Sequence, residues 1–126
     1  MIRIGFVIDT WAWAEYYRGG DNRVSEYIEN EQHDLFTSTL TLTEMIKFLR
    51  RNGENPETIR EIITEIGIRS IIVPVTETIA VIAGELEEDA FKGGIADRII
   101  LATASSGNHK VVTGDLHFRD LPDAVF

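Results

Sequence analysis

The sequence predicts an α/β fold, with a central, mainly parallel sheet of four or five strands held between layers of helices. Three observations lead there. Short, nearly continuous apolar runs recur along the chain, as expected of strands buried on both faces. Between them lie segments whose apolar residues fall at i, i+3, i+4 and i+7, the spacing of one helical face. Strands that alternate with helices in this way pack as a parallel sheet covered on both sides.

The elements follow in order. Met1 to Phe6 opens directly into an apolar run from Ile4 to Ile8, which ends at Asp9 and reads as a first strand, not a secretion signal. A helix starts near Thr10, and a shorter one covers Asn22 to Glu29. Asp34 to Ser38 is a weaker strand. Leu42, Met45, Ile46 and Leu49 mark a helical face, with Thr41 and Glu44 at capping-box spacing before it. That spacing places Glu44 in the first helical turn. Ile59, Ile62, Ile63 and Ile66 mark the next helix, with Asn55 as N-cap, Pro56 at its first position and Gly67 as its stop. Ile71 to Val73 reads as a strand, and Ile79, Ile82, Ala83 and Leu86 as a helix. From Ile95 to Ala104 apolar residues cover nearly the whole circumference, which predicts a largely buried helix. Lys110 to Thr113 is the last clear strand; Ala124-Val125-Phe126 leaves little room for another.

The 126 residues are treated as one domain, residues 1–126. With 44% hydrophobic residues there is material for a core, so neither disulfide nor zinc staple is needed. The chain has no cysteine, which removes thiolate chemistry and agrees with a cytoplasmic location. No apolar run approaches the roughly 18 residues of a membrane span. A net charge of −9 leaves two readings open: either the substrate is not nucleic acid, or part of the charge gathers in a site for cations that in turn engage phosphate.

Four acidic residues lie where such a site belongs. Asp9 and Asp115 each follow a strand, and ligands of open α/β sheets bind beyond the carboxyl ends of strands. Asp9 also suits a helix cap, Glu44 a capping box and Asp115 a turn. Asp97 falls in the first turn of the apolar helix, where the helix dipole offers typically about 0.3–1 kcal/mol. An unpaired buried carboxylate costs several times more, so Asp97 requires a partner. Carboxylates converging on one sheet edge repel each other unless a hard cation neutralises them, and oxygen donors suit Mg²⁺ or Mn²⁺. Asp120 is a second choice for the position of Asp115. His33, His109 and His117 share no zinc-ligand spacing and read as surface or loop residues. Glu85, Glu87, Glu88 and Asp89 read as a solvated helix end, and Trp11 and Trp13 as packing near the core.

Taken together, Val7-Ile8-Asp9-Thr10, Thr41-Leu42-Thr43-Glu44-Met45, the run from Ala96-Asp97-Arg98 to Ala104, and Val112-Thr113-Gly114-Asp115-Leu116-His117-Phe118 make an ordered set spanning the chain. In this set the sequence resembles the PIN-domain nucleases, and within them the VapC-type toxins of VapBC toxin–antitoxin pairs. The resemblance implies a three-layer α/β/α PIN-like domain. It implies a metal-dependent endoribonuclease using one or two Mg²⁺ or Mn²⁺ ions and leaving a 5′-phosphate and a 3′-hydroxyl. Asp9, Glu44 and Asp97 match the family's acidic triad, Asp115 its fourth acidic position and Thr113 the accompanying hydroxyl residue. Thr10 is a supporting residue. It further implies an RNA substrate, a homodimer and a cognate antitoxin partner. Lys47, Arg51 and Arg98 are the residues expected to contact RNA. Trp11, two residues after Asp9, is bulkier than the pattern expects. An RNA-processing nuclease outside a toxin pair, or a PIN-like binding module without turnover, stands as the alternative. A dehalogenase-type phosphatase needs an Asp where Trp11 stands, and a receiver domain needs one after the third strand, where Val73-Pro74-Val75 has none.

Overall fold

A computed structural model describes residues 3–20 and 22–126. Met1 and Ile2, read above as part of the N-terminal run, lie outside the described residues. Strand β1 (Ile4–Ile8) leads through helices α1 (Thr10–Arg18) and α2 (Asn22–Glu29) to β2 (His33–Ser38). Helices α3 (Thr39–Arg51) and α4 (Pro56–Arg69) precede β3 (Ile71–Val73), then α5 (Glu77–Glu85) and α6 (Ile95–Ser106) precede β4 (Lys110–Val112). A single 3₁₀ turn at Leu116–Phe118 and the two-residue strand β5 (Ala124–Val125) close the described chain.

All four strand pairings are parallel, in the order β3-β2-β1-β4-β5. The last residues therefore do complete the sheet: Ala124 pairs with Val111 and Val125 with Val112. Two backbone hydrogen bonds suffice there, Val111 N–H to Asp123 O at 2.8 Å and Thr113 N–H to Val125 O at 3.1 Å.

Strand alternation builds the layers. Phe6 and Ile8 of β1 join a core with Trp13, Val24, Met45, Leu49, Ile59 and Ile66, which puts α1 to α4 on one face. Val7 points the other way, into a core with Ile100, Leu101, Ala104, Val111 and Phe118, which puts α6 on the opposite face, with α5 packed on it through Ile79, Ala83 and Ala102. Val7 and Ile8 have no exposed surface, so charge at the end of β1 is held on an unyielding support. Trp13 lies wholly in this core and donates its indole N–H to Thr37 Oγ1 at 3.1 Å.

Several boundaries differ from the sequence reading. Ser38, not Thr41, is the N-cap of α3, accepting from Leu40 N at 3.1 Å. Thr41 is buried inside the helix, and Glu44 stands a turn and a half from its start, beyond the first turn. The stretch Thr37-Ser38-Thr39-Leu40-Thr41 holds several residues able to cap, and the end of β2 at Ser38 selects one. Asn55 caps α4 as expected, accepting from Thr58 N at 2.8 Å. Gly67, however, does not stop α4, which runs on to Arg69 and ends at Ser70. Helix α6 is buried only from Ile100 to Ala104; Ile95 is 79% exposed, so the helix opens at its N-terminus. Among the described residues, no helix is long and apolar enough to cross a membrane.

Candidate functional site

The sheet is wound outward from β1 in both directions: β2 and β3 lie on one side, β4 and β5 on the other. The helices after β1 and those before β4 cover opposite faces, so a crevice opens where the winding reverses, beyond the carboxyl ends of β1 and β4. A pocket in that crevice is lined by Asp9, Thr10, Trp11, Glu44, Asp97, Ile100 and Asp115. The four acidic side chains singled out in the sequence thus meet at one place, each from a different segment.

Asp9 serves two purposes. It caps α1, its Oδ1 accepting from Ala12 N at 2.8 Å, and it faces the pocket with 5% of its surface exposed. Burial pushes its carboxyl up to about 7; hydrogen bonds from the Thr113 hydroxyl and the Ala12 amide oppose that rise, while the charges of Asp115 and Asp97 add to it. Thr113, wholly buried beside Asp9, also accepts from Asp115 N at 3.0 Å through the same hydroxyl oxygen.

Glu44 does not reach back to the Thr41 amide. Its Oε1 instead accepts from the Thr10 hydroxyl at 2.6 Å, and Thr41 Oγ1 lies 3.3 Å from that hydroxyl. The start of α1 therefore orients a carboxylate of α3.

Asp97 sits on the open first turn of α6, after Gly93 and the cap residue Gly94. A Cβ on Gly93 would stand 2.7 Å from the Cβ of Asp97 and 2.5 Å from the Phe91 ring, so only glycine lets the chain pass this close. The Asp97 carboxyl is held above its ordinary value by burial and by the charge of Asp115, partly offset by His117. The partner that Asp97 requires is therefore visible. His117 Nδ1 lies 2.9 Å from Asp97 Oδ2 and 3.1 Å from Asp115 Oδ1.

His117 is the residue that sequence reasoning passed over. Asp97, Asp115 and His117 each offer a ligand atom within 4.8 Å of the others, a cluster able to coordinate a divalent cation. Zinc-ligand spacing was the wrong signal to seek; the useful one was His117 two residues beyond a strand-end Asp. His109 does lie in the loop between α6 and β4, stacked on Phe36, whereas His33 is no loop residue: it begins β2, with Nδ1 on Tyr27 O at 2.9 Å.

The remaining residues divide. Lys47 and Arg51 are exposed on α3, one and two turns beyond Glu44. Arg98 is not free for a phosphate. Its guanidinium donates to Leu86 O at 2.8 Å, Ala83 O at 3.3 Å and Phe91 O at 3.5 Å, and pairs with Glu88 at 3.0 Å. With 11% of its side chain exposed, it clasps the α5–α6 connection instead. Asp120 is exposed in a turn at φ 65° and is not among the pocket's residues, whereas Asp115 is. Trp11 lines the pocket as well as touching the core.

Comparison with known proteins agrees with this architecture. The PIN domain family model matches residues 6–124. Among solved structures, a toxin–antitoxin complex from Klebsiella pneumoniae superposes with a TM-score of 0.74 at 20% identity, covering 95% of each chain. VapBC2 from Rickettsia felis, bound to a DNA fragment from its promoter, gives 0.74 at 17% identity, covering 97% of this chain and 96% of that one. VapC20 of Mycobacterium tuberculosis, a Sarcin-Ricin loop cleaving toxin, gives 0.69 at 18% identity, covering 87% and 91%. A search of curated proteins finds no match. The family model extends over nearly the whole chain, and the fold it describes is the one that gathers these carboxylates: the chain belongs to the PIN domain family.

Proposed function

We propose that this chain is a metal-dependent endoribonuclease and the toxin of a toxin–antitoxin pair. The observation that carries the nuclease assignment is the convergence of Asp9, Glu44, Asp97 and Asp115 on one pocket at the reversal point of the sheet. Burial raises the carboxyls of Asp9 and Asp97 and the neighbouring carboxylates add to the rise, a cost that a bound cation would offset. The donors are mainly hard oxygens, which fits one or two Mg²⁺ or Mn²⁺ ions.

Asp9, Asp97 and Asp115 would hold the ion, with Glu44 completing the pocket from α3. When bound, a divalent ion supplies an activated water for in-line attack on a phosphodiester and offsets charge on the phosphorus and leaving-group oxygens. The chain's own residues do the rest. Thr113 steadies the Asp9 carboxylate and Thr10 that of Glu44. Lys47 and Arg51, on the α3 surface leading away from Glu44, give the RNA backbone a positive track on an otherwise acidic protein.

The toxin assignment draws on the structural neighbours, several of which are toxins in complex with antitoxins. These neighbours favour an antitoxin partner, and the family resemblance read in the sequence adds a homodimer as the working form. A short neighbouring open reading frame encoding a DNA-binding N-terminal half would support this part.

The activity is tested with purified protein, a short RNA and Mn²⁺. Cleavage is expected, and Asp97→Asn should reduce it at least about 100-fold, since even outer-shell changes at metal sites cost 10–100-fold. Unchanged cleavage and metal affinity in that variant would refute the site.

A further inference from the structure

The His117 imidazole lies at a separation from two carboxylates that a metal shell also requires. In an octahedral shell with bonds of roughly 2.1 Å, adjacent donor atoms stand about 3.0 Å apart. Nδ1 of His117 is 2.9 Å from Asp97 Oδ2 and 3.1 Å from Asp115 Oδ1. It is Nδ1, the nitrogen nearer the backbone, that faces both oxygens, so small shifts of the three side chains would set them around one ion.

The local backbone holds this arrangement. Asp115 caps the 3₁₀ turn, its Oδ1 accepting from His117 N at 2.9 Å, and its own amide is tied to Thr113 Oγ1. Phe118, 1% exposed, anchors the end of the turn in the core beside Phe91. The imidazole is 51% exposed, yet it is carried on a segment fixed at both ends.

We propose that His117 Nδ1 is itself a metal ligand, completing with Asp97 and Asp115 a mixed nitrogen–oxygen site for a first-row transition-metal ion. The proposal rests on the nuclease reading above and adds to it a nitrogen donor and a metal preference. Coordination through Nδ1 takes the place of its contacts with the two carboxylates, and a proton displaced from a ligand by the metal passes to solvent. Imidazole favours transition ions, whereas Mg²⁺ is best served by oxygen donors alone. The site therefore selects Mn²⁺ or a later first-row ion over Mg²⁺, and His117 is the source of that selection.

The test is spectroscopic and needs no substrate. Electron spin-echo spectra of Mn²⁺ bound to the full chain, with natural-abundance and ¹⁵N-labelled histidine, report nitrogen in direct contact with the ion. The expected result is a directly bound imidazole nitrogen that disappears in His117→Gln. The ratio of Mn²⁺ to Mg²⁺ affinity should also fall in that variant by at least about 10-fold, the lower end of what losing an outer-shell partner costs. Bound Mn²⁺ surrounded only by oxygen in the wild-type chain would overturn the proposal while leaving the nuclease reading intact, whether or not the variant folds. A nitrogen signal that survives His117→Gln would do the same. Failure of the wild-type chain to bind Mn²⁺ at all would overturn both.

Discussion

The hydroxyl of Thr10 donates to Glu44 Oε1 at 2.6 Å, joining the first residue of α1 to a carboxylate of α3 that lies 34 positions away in the chain. Thr10→Val keeps the shape and removes the donor. Glu44 then loses its orientation, and Mn²⁺ affinity measured by calorimetry should fall by about 10-fold, the size expected for loss of an outer-shell hydrogen bond. Circular dichroism should be unchanged. An unaltered affinity would show that Glu44 needs no such support.

Asp9 makes the stability of the metal-free protein depend on pH. Its folded-state carboxyl titrates at about 7, above the ordinary 3.8. Between those values the folded chain keeps a proton that the unfolded chain has released. The contribution of Asp9 is therefore fully present below about pH 4 and is lost as pH rises through 7. Asp9→Asn retains an N-cap and removes the charge, so above pH 7 in chelator it should be more stable than the parent, on the order of a few kcal/mol. Thermal unfolding at pH 5 and pH 8 checks this: the difference between variant and parent should grow with pH. Added Mn²⁺ should reverse the order at pH 8, because only the parent keeps that ligand.

Gly114 is confined by Trp11. A Cβ there would fall 2.3–2.6 Å from three atoms of the indole ring, too close for either to remain in place. Gly114→Ala should cost about 1–3 kcal/mol, the usual penalty for overpacking, and should weaken metal binding by displacing Asp115. Combining it with Trp11→Leu should recover most of the lost stability in chemical unfolding. If Gly114→Ala unfolds at the parent's denaturant concentration, the Trp11 ring does not constrain this loop.

Lys47 and Arg51 are separated from Arg98 by what their side chains already touch. Alanine at Lys47 or Arg51 should lower the salt dependence of RNA binding, each lost phosphate contact reducing the log–log slope by roughly 0.7 for a single strand. Arg98→Ala should leave that slope alone and instead destabilise the fold. The unpaired carbonyls of Leu86 and Ala83 set the cost at about 2–4 kcal/mol. Filter binding across a salt series, together with thermal unfolding, distinguishes the two effects. A reduced slope for Arg98→Ala would return it to the RNA surface.

Much of the architecture was legible because it rests on local pattern. Apolar runs gave β1, β3 and β4, helical periodicity gave α3 to α6, and Asn55-Pro56 gave the start of α4. What misled was competition among equivalent local signals. Ser38 and Thr41 both suit a cap, and Gly67 suits a stop, yet it is Ser70 that ends α4, its amide and hydroxyl both donating to Ile66 O. β5 was hidden because two residues carry no periodicity; only an open edge on β4 makes them a strand.

The sequence by itself determined that Asp9 and Asp115 follow strands and that Asp97 opens a helix, and with the ordered motifs the PIN family and its fold. It could not decide what each side chain faces, because that depends on atoms distant in the chain. Arg98, adjacent to Asp97, turns away to carbonyls of the α5–α6 connection, while His117, 20 positions from Asp97, turns toward it. Charge and residue type are local properties; desolvation and partnership arise only once the sheet has brought the ends of β1 and β4 together.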